Sequence, residues 1–207
     1  MKLPVSGEVN QTHSNESIRR RECVACKEFG ISALLRPGKI YPLMSVTVRT
    51  NRGNVKIELF CDDSPESCHN FLALAASGAY NGSLFHKSIP GFILQGGDTT
   101  GSGKGGECWK SGKMDCETSA LKIKHDRRGI VSLACVPGKA STVGSQFFIT
   151  YARHTSLDGQ YPVIGRIIDG LDTLKDIEGV PVSEQKYRPL EDIVIDSIHI
   201  HANPLAD

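Results

Sequence analysis

Short segments in which apolar and polar residues alternate recur along this chain, and they constrain its fold more than any other feature. Val46 and Val48 alternate with polar neighbours, and Val55, Ile57 and Leu59 do so again after a polar turn. A period of two places successive side chains on opposite faces of a strand. The two segments therefore predict a hairpin with one apolar face.

Further strands are predicted at residues 129–135, 146–151, 162–168 and 192–200, which are rich in β-branched and aromatic residues. Helical spacing of apolar residues occurs in two segments, one following residue 64 and one at residues 169–178. The strands and helices do not alternate as βαβ units. A mainly β fold is therefore predicted, and a closed antiparallel barrel is favoured because closure removes exposed sheet edges.

The first predicted helix has clear signals at its start and its end. Asp63 or Ser64 can cap its N-terminus, and Pro65 suits its first turn. Gly78 is the predicted terminator.

The composition is that of an ordinary globular protein. Hydrophobic residues make up 39% of the 207 positions and charged residues 23%, and the net charge is +1. This balance gives no reason to expect a nucleic acid partner, and no apolar run reaches the roughly 20 residues of a membrane helix. Seven cysteines at irregular spacing do not form a disulfide framework, so we expect a reducing compartment.

Residues 1–43 differ from the rest of the chain. They hold seven Lys/Arg and four Glu, a charge of +3 against −2 for the remainder. They lack the order of a secretory signal, and the four glutamates argue against a mitochondrial transit peptide. We expect an N-terminal extension that is poorly ordered or a gene-model artefact, followed by one domain at residues 44–207.

One stretch in the middle of the chain combines a sharp turn with chemically distinctive side chains. Pro90 and Gly91 separate two short apolar runs, and glycine there is free to take a positive φ. A cation (Lys87), an aromatic ring (Phe92) and an amide (Gln95) lie within nine positions. Polar groups beside apolar surface are typical of a small binding site.

A second stretch agrees with the first and completes a resemblance. Residues 85–98 resemble the first active-site motif of the cyclophilins, which are prolyl isomerases, and residues 143–150 (VGSQFFIT) resemble the second. The resemblance extends in order from about Met44 to the C-terminus. Within the family it is greatest to a spliceosome-associated branch, through residues 44–48, 184–190 and 199–204.

The resemblance implies a fold, an activity and a setting. The fold is a closed eight-stranded antiparallel barrel capped by two helices. The activity is peptidyl-prolyl cis-trans isomerisation of Xaa-Pro bonds without a cofactor or a metal. The expected partners are proline-containing peptides or proteins and spliceosomal proteins, for a monomer in the nucleus or the cytoplasm.

The resemblance also implies roles for individual residues. A catalytic group is formed by Lys87, Phe92 and Gln95. The implied substrate-binding residues are Ile93, Ala134, Cys135, Gln146, Phe148, Ser156, Leu157 and Tyr161. Tyr161 stands where many members carry a histidine.

Three of these positions depart from the family pattern. Lys87 stands in place of the catalytic arginine, so it keeps the charge but lacks the planar fork of donors. Ser156 replaces the tryptophan of cyclosporin-binding members, and Cys135 replaces an asparagine that anchors the peptide backbone. The loop at residues 136–143 is about two residues longer than in the family. These departures predict weak isomerase activity and poor cyclosporin binding.

A second interpretation of the same residues stays open. The departures also fit a catalytically dead module that binds proline-containing peptides or serves as a scaffold in the splicing machinery. On that interpretation the polar segment at residues 183–190 is a partner surface. Phe147 and Ile149 alternate with the predicted site residues and are expected in the core.

Other motifs are too incomplete to predict a nucleotide-binding or metal-binding site. Residues 101–106 have the glycine spacing of a dinucleotide loop, but no helix is predicted to follow, so a plain loop is expected. Cys23 and Cys26 have zinc-knuckle spacing without a second pair of ligands. His199 and His201 share a strand face, but two ligands are too few for a structural metal.

Overall fold

The computed structural model describes residues 44–110, 112–136 and 139–201. The predicted extension at residues 1–43 lies outside the described residues, as do Cys23 and Cys26 and part of the loop at residues 136–143. Among the described residues, no helix combines the length and hydrophobicity needed to cross a membrane.

In the part of the chain that the structure describes, ten strands form one antiparallel sheet, and the alternating segments of the sequence supply most of them. The strands are β1 Met44–Thr50, β2 Gly53–Leu59, β3 Ser83–Leu84, β4 Lys87–Ile89, β5 Ile93–Gly96, β6 Met114–Asp115, β7 Ile130–Val136, β8 Lys139–Thr150, β9 Val163–Asp169 and β10 Val194–His201. Nine of them follow the order β3-β10-β1-β2-β9-β7-β8-β5-β4, and β6 pairs with β8. The predicted mainly β, antiparallel class is confirmed.

The prediction of a closed eight-stranded barrel is corrected, because the sheet is curled and is not closed by a continuous ladder. The two end strands, β3 and β4, are separated in the chain by only two residues, so the ends of the sheet must approach each other. Within the described residues, an isolated bridge joins Leu84 of β3 to Asp98, two residues after β5, and no ladder joins β3 to β4. Strands of two and three residues are too short to form the ladder that closure requires.

Within the described residues, two α-helices pack on this sheet, as predicted. Helix α1 spans Pro65–Ala76 and contacts β8 and β10, and α2 spans Leu171–Glu178 and contacts β2. Gly78 follows α1 with φ +72°, in agreement with its predicted role. The apolar residues at helical spacing in α2 are Leu171, Leu174 and Ile177. Leu174 and Ile177 are buried, whereas Leu171 is exposed.

The predicted side-chain cap of α1 is absent. Ser64 occupies the N-cap position, but its hydroxyl donates to the carbonyl of Val163 instead. The carboxylate of Glu117 accepts the backbone N–H groups of Glu66 and Ser67 at 3.4 and 3.0 Å. A distant acidic side chain thus satisfies the helix start, where negative charge is favourable.

The main core lies inside the curl of the sheet and is covered by α1. Four aromatic rings, those of Phe71, Tyr80, Phe85 and Phe147, meet edge-on or tilted at centroid distances of 5.3–5.9 Å. Ile149 joins Phe147 in this core, so the predicted burial of both residues is confirmed. Strand β8 therefore turns its other face, with Gln146 and Phe148, away from the main core.

The last strand deviates from simple alternation. The sequence predicts Ile193, Ile195 and Ser197 on one face, with Ile198 on the other. A bulge shifts the register between β1 and β10, so that Arg49 pairs with Ser197 but Thr50 pairs with Ile195. The bulge reverses the alternation, and Ile198 is buried together with Ile195.

Candidate active site

The turn between β4 and β5 is held from two sides. Gly91 has φ +73°, and the N–H of Phe92 donates to the carbonyl of Ile89 at 2.9 Å across the turn. The N–H of Gly91 donates to Glu178 at the end of α2 at 2.8 Å, and its carbonyl accepts a hydrogen bond from His154 at 2.9 Å. Both sides of the glycine are therefore fixed, and with them the position of Phe92.

Cross-strand pairing aligns three candidate site residues in one row with Ser132. Lys87 on β4 pairs with Gln95 on β5, Gln95 pairs with Phe148 on β8, and Phe148 pairs with Ser132 on β7. Residues directly opposite each other on neighbouring strands share a face of the sheet. The cation, the amide and the aromatic ring are thus placed side by side by the strand register.

A small apolar cluster, separate from the main core, lies beside this row. It is formed by buried Ile93, Ala134, Phe148 and Leu157, with partly buried Ile89, Phe92 and Tyr161 packed against them. We call these seven residues the Phe148 cluster. Because three members are only partly buried, one side of this apolar cluster is accessible to solvent, as contact with a small apolar ring requires.

Two amide side chains border the Phe148 cluster. Nε2 of Gln95 donates to Oε1 of Gln146 at 2.8 Å, and Nε2 of Gln146 donates to the carbonyl of Gly105 at 2.9 Å. Each amide nitrogen carries two donors, so one N–H of each side chain stays available to a ligand. The hydrogen bonds fix the orientation of both amides.

The glycine-rich loop beside Gln146 is ordered around one buried carboxylate. Asp98 accepts hydrogen bonds from Thr100, Ser102 and the backbone N–H of Gly105. Burial alone raises the pKa of Asp98, but the hydrogen bonds from Thr100 and the backbone outweigh it and lower the pKa to about 2. The charged carboxylate therefore holds Gly105, the acceptor for Gln146, in place. No helix follows this loop, in agreement with the plain loop predicted for residues 101–106.

Lys87 is the cation of the site. It is partly buried, and among the described residues it forms no hydrogen bond or ion pair. Its ammonium group is therefore available to a ligand that occupies the Phe148 cluster.

Comparison with known proteins identifies the family. The sequence pattern of the family described as "Cyclophilin type peptidyl-prolyl cis-trans isomerase/CLD" matches residues 45–200. The chain belongs to this family. It is a cyclophilin-type isomerase domain, as the two motifs predict.

Individual relatives are similar over the same part of the chain. Peptidyl-prolyl cis-trans isomerase-like 3 from Homo sapiens is 51% identical over 163 residues, which cover 79% of this chain and 99% of the relative. Peptidyl-prolyl cis-trans isomerase 10 from Caenorhabditis elegans is also 51% identical, over 164 residues with the same coverage. Residues 44–48, 184–190 and 199–204 predict a similarity to isomerase-like protein 3, and this similarity is confirmed.

Solved structures agree with the sequence comparison. The crystal structure of a cyclophilin-type isomerase from Cryptosporidium parvum has a TM-score of 0.73 and 47% identity, and covers 78% of this chain and 99% of its own. A second structure of that protein, obtained in the presence of the dipeptide Ala-Pro, has a TM-score of 0.72 and 48% identity, with coverages of 77% and 99%.

The site residues named from the resemblance are distributed over three parts of this isomerase domain. Five lie in the Phe148 cluster together with Phe92, namely Ile93, Ala134, Phe148, Leu157 and Tyr161. Lys87, Gln95 and Gln146 form its polar border. Ser156 is exposed one residue before the buried Leu157, and its carbonyl accepts a hydrogen bond from Gln160 at 2.8 Å.

Cys135 lies at the edge of the same site. It follows Ala134, and its thiol donates to the carbonyl of Gln160 at 3.3 Å. Burial, followed by the neighbouring Cys116, raises the pKa of Cys135 to about 12. The thiol is therefore protonated at neutral pH and serves as a weak hydrogen-bond donor.

The structure adds a buried histidine that the sequence did not reveal. His125 stacks on Phe148 with 6.0 Å between ring centroids, and its Nδ1 and Nε2 lie 3.1 Å from Asp158 and 2.9 Å from Ser132. Burial lowers the pKa of His125 despite the hydrogen bond to Asp158, so the ring is neutral. These partners assign Nδ1–H as a donor to the carboxylate and Nε2 as acceptor of the Ser132 hydroxyl.

His125 supports the ring of Phe148 from behind. The local sequence carries no signal for this role, because His125 follows a 3₁₀ turn at Ala120–Lys122 and belongs to no periodic segment. Its partners are 7 and 33 positions away in the chain. His154, which holds Gly91 and packs edge-on against Phe92 at 4.8 Å, was missed for the same reason.

Proposed function

We propose that this cyclophilin-type domain isomerises Xaa-Pro bonds in peptides and proteins, and does so more slowly than a site with arginine in place of Lys87. The observation that carries the proposal is the Phe148 cluster, a partly exposed apolar cluster with Lys87 and Gln95 in register along its edge. The cluster accepts the proline ring, and the polar edge meets the peptide backbone.

The reaction needs positioning and electrostatics rather than covalent chemistry. Rotation about an Xaa-Pro bond crosses a barrier of ~18–20 kcal/mol and takes tens to hundreds of seconds unaided. A catalyst must bind the twisted amide more tightly than either planar form. Twisting returns the lone pair to the proline nitrogen, so a donor aimed at that nitrogen or at the neighbouring carbonyl stabilises the transition state.

Lys87 supplies this donor in our proposal. Its ammonium group keeps the positive charge, but it is a single point donor on a flexible stem, whereas a guanidinium presents a planar fork. We expect the rate to be about tenfold to a hundredfold below that of an arginine-bearing site, at ~1.4 kcal/mol for each factor of ten. Gln95 and Gln146 then hold the peptide backbone through their remaining N–H groups.

Binding of proline-containing peptides has independent support. The related Cryptosporidium parvum protein was crystallised in the presence of Ala-Pro. This chain shares 48% of its residues with that structure over 77% of its length. We therefore propose the same class of ligand here.

The decisive experiment is exchange NMR on a short Xaa-Pro peptide, which detects even slow catalysed interconversion of the cis and trans forms. We expect the wild type to accelerate exchange and Phe92→Ala to abolish the acceleration, since the substitution removes an aromatic ring that contacts the proline. Phe60→Ala is the matched control, because Phe60 lies outside the Phe148 cluster and packs near Arg166. Loss of activity in Phe60→Ala as well would mean that the loss in Phe92→Ala is not specific to the site.

A second function is favoured by the departures at Lys87, Ser156 and Cys135. In this alternative the groove binds proline-containing peptides without turnover and serves as a scaffold module. Peptide-induced shifts of Ala134 and Gln146 resonances without exchange above background support this alternative over the enzyme. Absence of both exchange and shifts contradicts both functions.

We also propose that the domain works in the splicing machinery of the nucleus, on the likeness of residues 184–190 to the spliceosome-associated branch. In this segment Leu190 is 68% exposed and Tyr187 43% exposed, so apolar surface is available to a partner. The test is co-sedimentation of the full chain with splicing complexes in nuclear extract. Failure to co-sediment contradicts the splicing role and has no bearing on the isomerase proposal.

A further inference from the structure

Two cysteines meet at the edge of the candidate active site. The sulfurs of Cys116 and Cys135 lie 3.7 Å apart, and both residues are partly exposed. The other described cysteines, Cys61, Cys68 and Cys108, are buried. Cys116 and Cys135 are therefore the described thiol pair that a solvent-borne reagent can reach.

The strand register explains how two distant positions come together. Cys135 on β7 and Met114 on β6 both pair with Val143, from opposite sides of β8. Residues paired across strands share a face, and a step of two residues along the chain returns to that face. Cys116 is two residues after Met114, so its side chain points to the same side of the sheet as Cys135.

A bond between these sulfurs requires a small movement. A disulfide has a sulfur–sulfur distance of about 2.05 Å, so the two atoms must approach by roughly 1.6 Å. Register shifts flank Cys135 on β7, which shows that the ladder there is already irregular. An irregular ladder at this strand end allows the shift with little loss of regular pairing.

We propose that Cys116 and Cys135 form a reversible disulfide that weakens ligand binding in the adjacent groove. The proposal rests on the proposed function only for its effect on peptide binding. The oxidant is a low-molecular-weight disulfide such as oxidised glutathione.

The chemistry balances in two exchange steps. The Cys116 thiolate attacks one sulfur of oxidised glutathione, a protein–glutathione disulfide forms, and one glutathione thiolate leaves and takes up a proton. The Cys135 thiolate then attacks the Cys116 sulfur, the Cys116–Cys135 bond forms, and the second glutathione leaves. Two protein thiols are oxidised and one glutathione disulfide is reduced to two thiols.

The order of the steps follows from the environment of each sulfur. Burial raises the pKa of both thiols, but a Cys116 thiolate can accept the S–H of Cys135 in place of the Gln160 carbonyl, which partly offsets the rise for Cys116. Cys116 therefore supplies the first thiolate. Because the thiolate is the attacking species, disulfide formation is expected to accelerate as the pH rises from about 7 to 9.

The disulfide changes the groove through two neighbours of Cys135. The thiol hydrogen bond to the carbonyl of Gln160 is lost when the sulfur turns to Cys116. Gln160 precedes Tyr161, whose ring packs edge-on against Phe148 at 5.2 Å. On its other side Cys135 follows Ala134, and with Gln146 these two residues line a small cavity beside the groove.

The test begins with peptide mapping of the full chain in a Cys23→Ser/Cys26→Ser background, oxidised with glutathione disulfide and digested with trypsin without reduction. Cleavage places Cys116 in residues 114–122 and Cys135 in residues 129–139, each with a single cysteine. We expect these two peptides as one linked species that dithiothreitol separates. Glutathione adducts on the separate peptides, with no linked species at any pH up to 9, would overturn the proposal.

The effect on the groove is read by titration of an Ala-Pro peptide, followed through the amide resonances of Ala134 and Gln146. We expect oxidation to raise the dissociation constant about fivefold, as for the loss of one net hydrogen bond. Dithiothreitol should restore it. Cys116→Ser should bind peptide like the reduced protein and be insensitive to oxidant.

The outcomes separate the two proposals. The peptide map decides whether the disulfide forms, even if the domain has no isomerase activity. If the reduced protein binds no peptide, the same two resonances, compared between the reduced and oxidised protein, still report whether the groove changes. A linked protein whose groove resonances and peptide affinity are unchanged contradicts the regulatory role.

Discussion

At the scale of single residues, the proposed rate of this site depends on Lys87. The strand register places it beside Gln95 and next to the Phe148 cluster, and within the described residues no carboxylate forms an ion pair with it. Its charge is therefore available to substrate. Its limitation is geometric, since one flexible ammonium group cannot present two donors in a fixed plane.

The first prediction concerns this geometry. Lys87→Arg should raise kcat/KM about tenfold, because the guanidinium fork restores a pre-aimed pair of donors worth ~1.4 kcal/mol in the transition state. The measurement is exchange NMR on the same Xaa-Pro peptide. Lys122→Arg, at an exposed position in the 3₁₀ turn, is the control for a general effect of the substitution. An unchanged or lower rate in Lys87→Arg would show that Lys87 does not act as the donor.

At the scale of elements, the candidate site depends on a contact between α2 and the β4–β5 turn. Glu178, the last residue of α2, accepts the N–H of Gly91 with one carboxylate oxygen and Nη1 of Arg128 at 2.6 Å with the other. Arg128 in turn donates to the carbonyl of Tyr151. One carboxylate thus ties the helix, the turn before Phe92 and the end of β8 together.

The second prediction tests Glu178 as a positioning residue. Glu178→Ala should lower kcat/KM about tenfold, since displacement of the Phe92 ring disturbs the alignment of the substrate that catalysis needs. Glu178→Gln keeps an acceptor for Gly91 and should recover most of that loss. Asp176→Ala, an exposed acidic position on the same helix, is the matched control.

A purely structural role for Glu178 makes a different prediction. In that case all Glu178 variants would lose stability in urea denaturation while the folded fraction kept its full kcat/KM. Rescue by Glu178→Gln, together with a rise in KM for Glu178→Ala, is the result that only a positioning role explains.

At the scale of the whole molecule, buried histidines make the stability depend on pH. Burial, with a smaller effect of Lys110, lowers the pKa of His69 to about 4, and burial also lowers the pKa of His86 and of His125. In the unfolded chain these groups titrate near 6.5. Between about pH 6.5 and 4 the unfolded state therefore binds more protons than the folded state, so stability falls as the pH falls.

The third prediction follows from this difference. The free energy of unfolding should decrease by about 2–3 kcal/mol from His69 alone between pH 7 and 4, at ~1.36 kcal/mol per pKa unit. Urea denaturation at a series of pH values measures it. His69→Gln should flatten this dependence, whereas His199→Gln, at an exposed position on β10, should not. A free energy of unfolding that stays constant from pH 7 to 4 contradicts the prediction.

Asp98 adds a second decrease in the free energy of unfolding at lower pH. Its pKa in the folded protein is about 2, against about 3.9 in an unfolded chain. The stability that it contributes is complete above about pH 4 and is lost as the pH falls towards 2. The free energy of unfolding should therefore continue to decrease below about pH 4, after the histidines have titrated.

Much of the fold was predictable from the sequence because its determinants are local. Alternation located β1, β2 and the longer strands, and Pro65 and Gly78 marked the ends of α1. The two motifs also named residues that the structure brings together in and around the Phe148 cluster. The side-chain period and the motif residues, both readable along the chain, were sufficient for that.

Tertiary structure decided what depends on residues far apart in the chain. The number of strands and the curl of the sheet depend on how β3 and β4 meet, and the start of α1 is satisfied by Glu117, about 50 positions away. The support of Phe148 by His125 and the approach of Cys116 to Cys135 arise in the same way. The sequence by itself determined the longer strands, the two motifs and the family. The curl of the sheet and the side chains that surround the groove were set only when distant strands came into register, because a local pattern specifies which face a side chain takes but not which distant residue it will meet there.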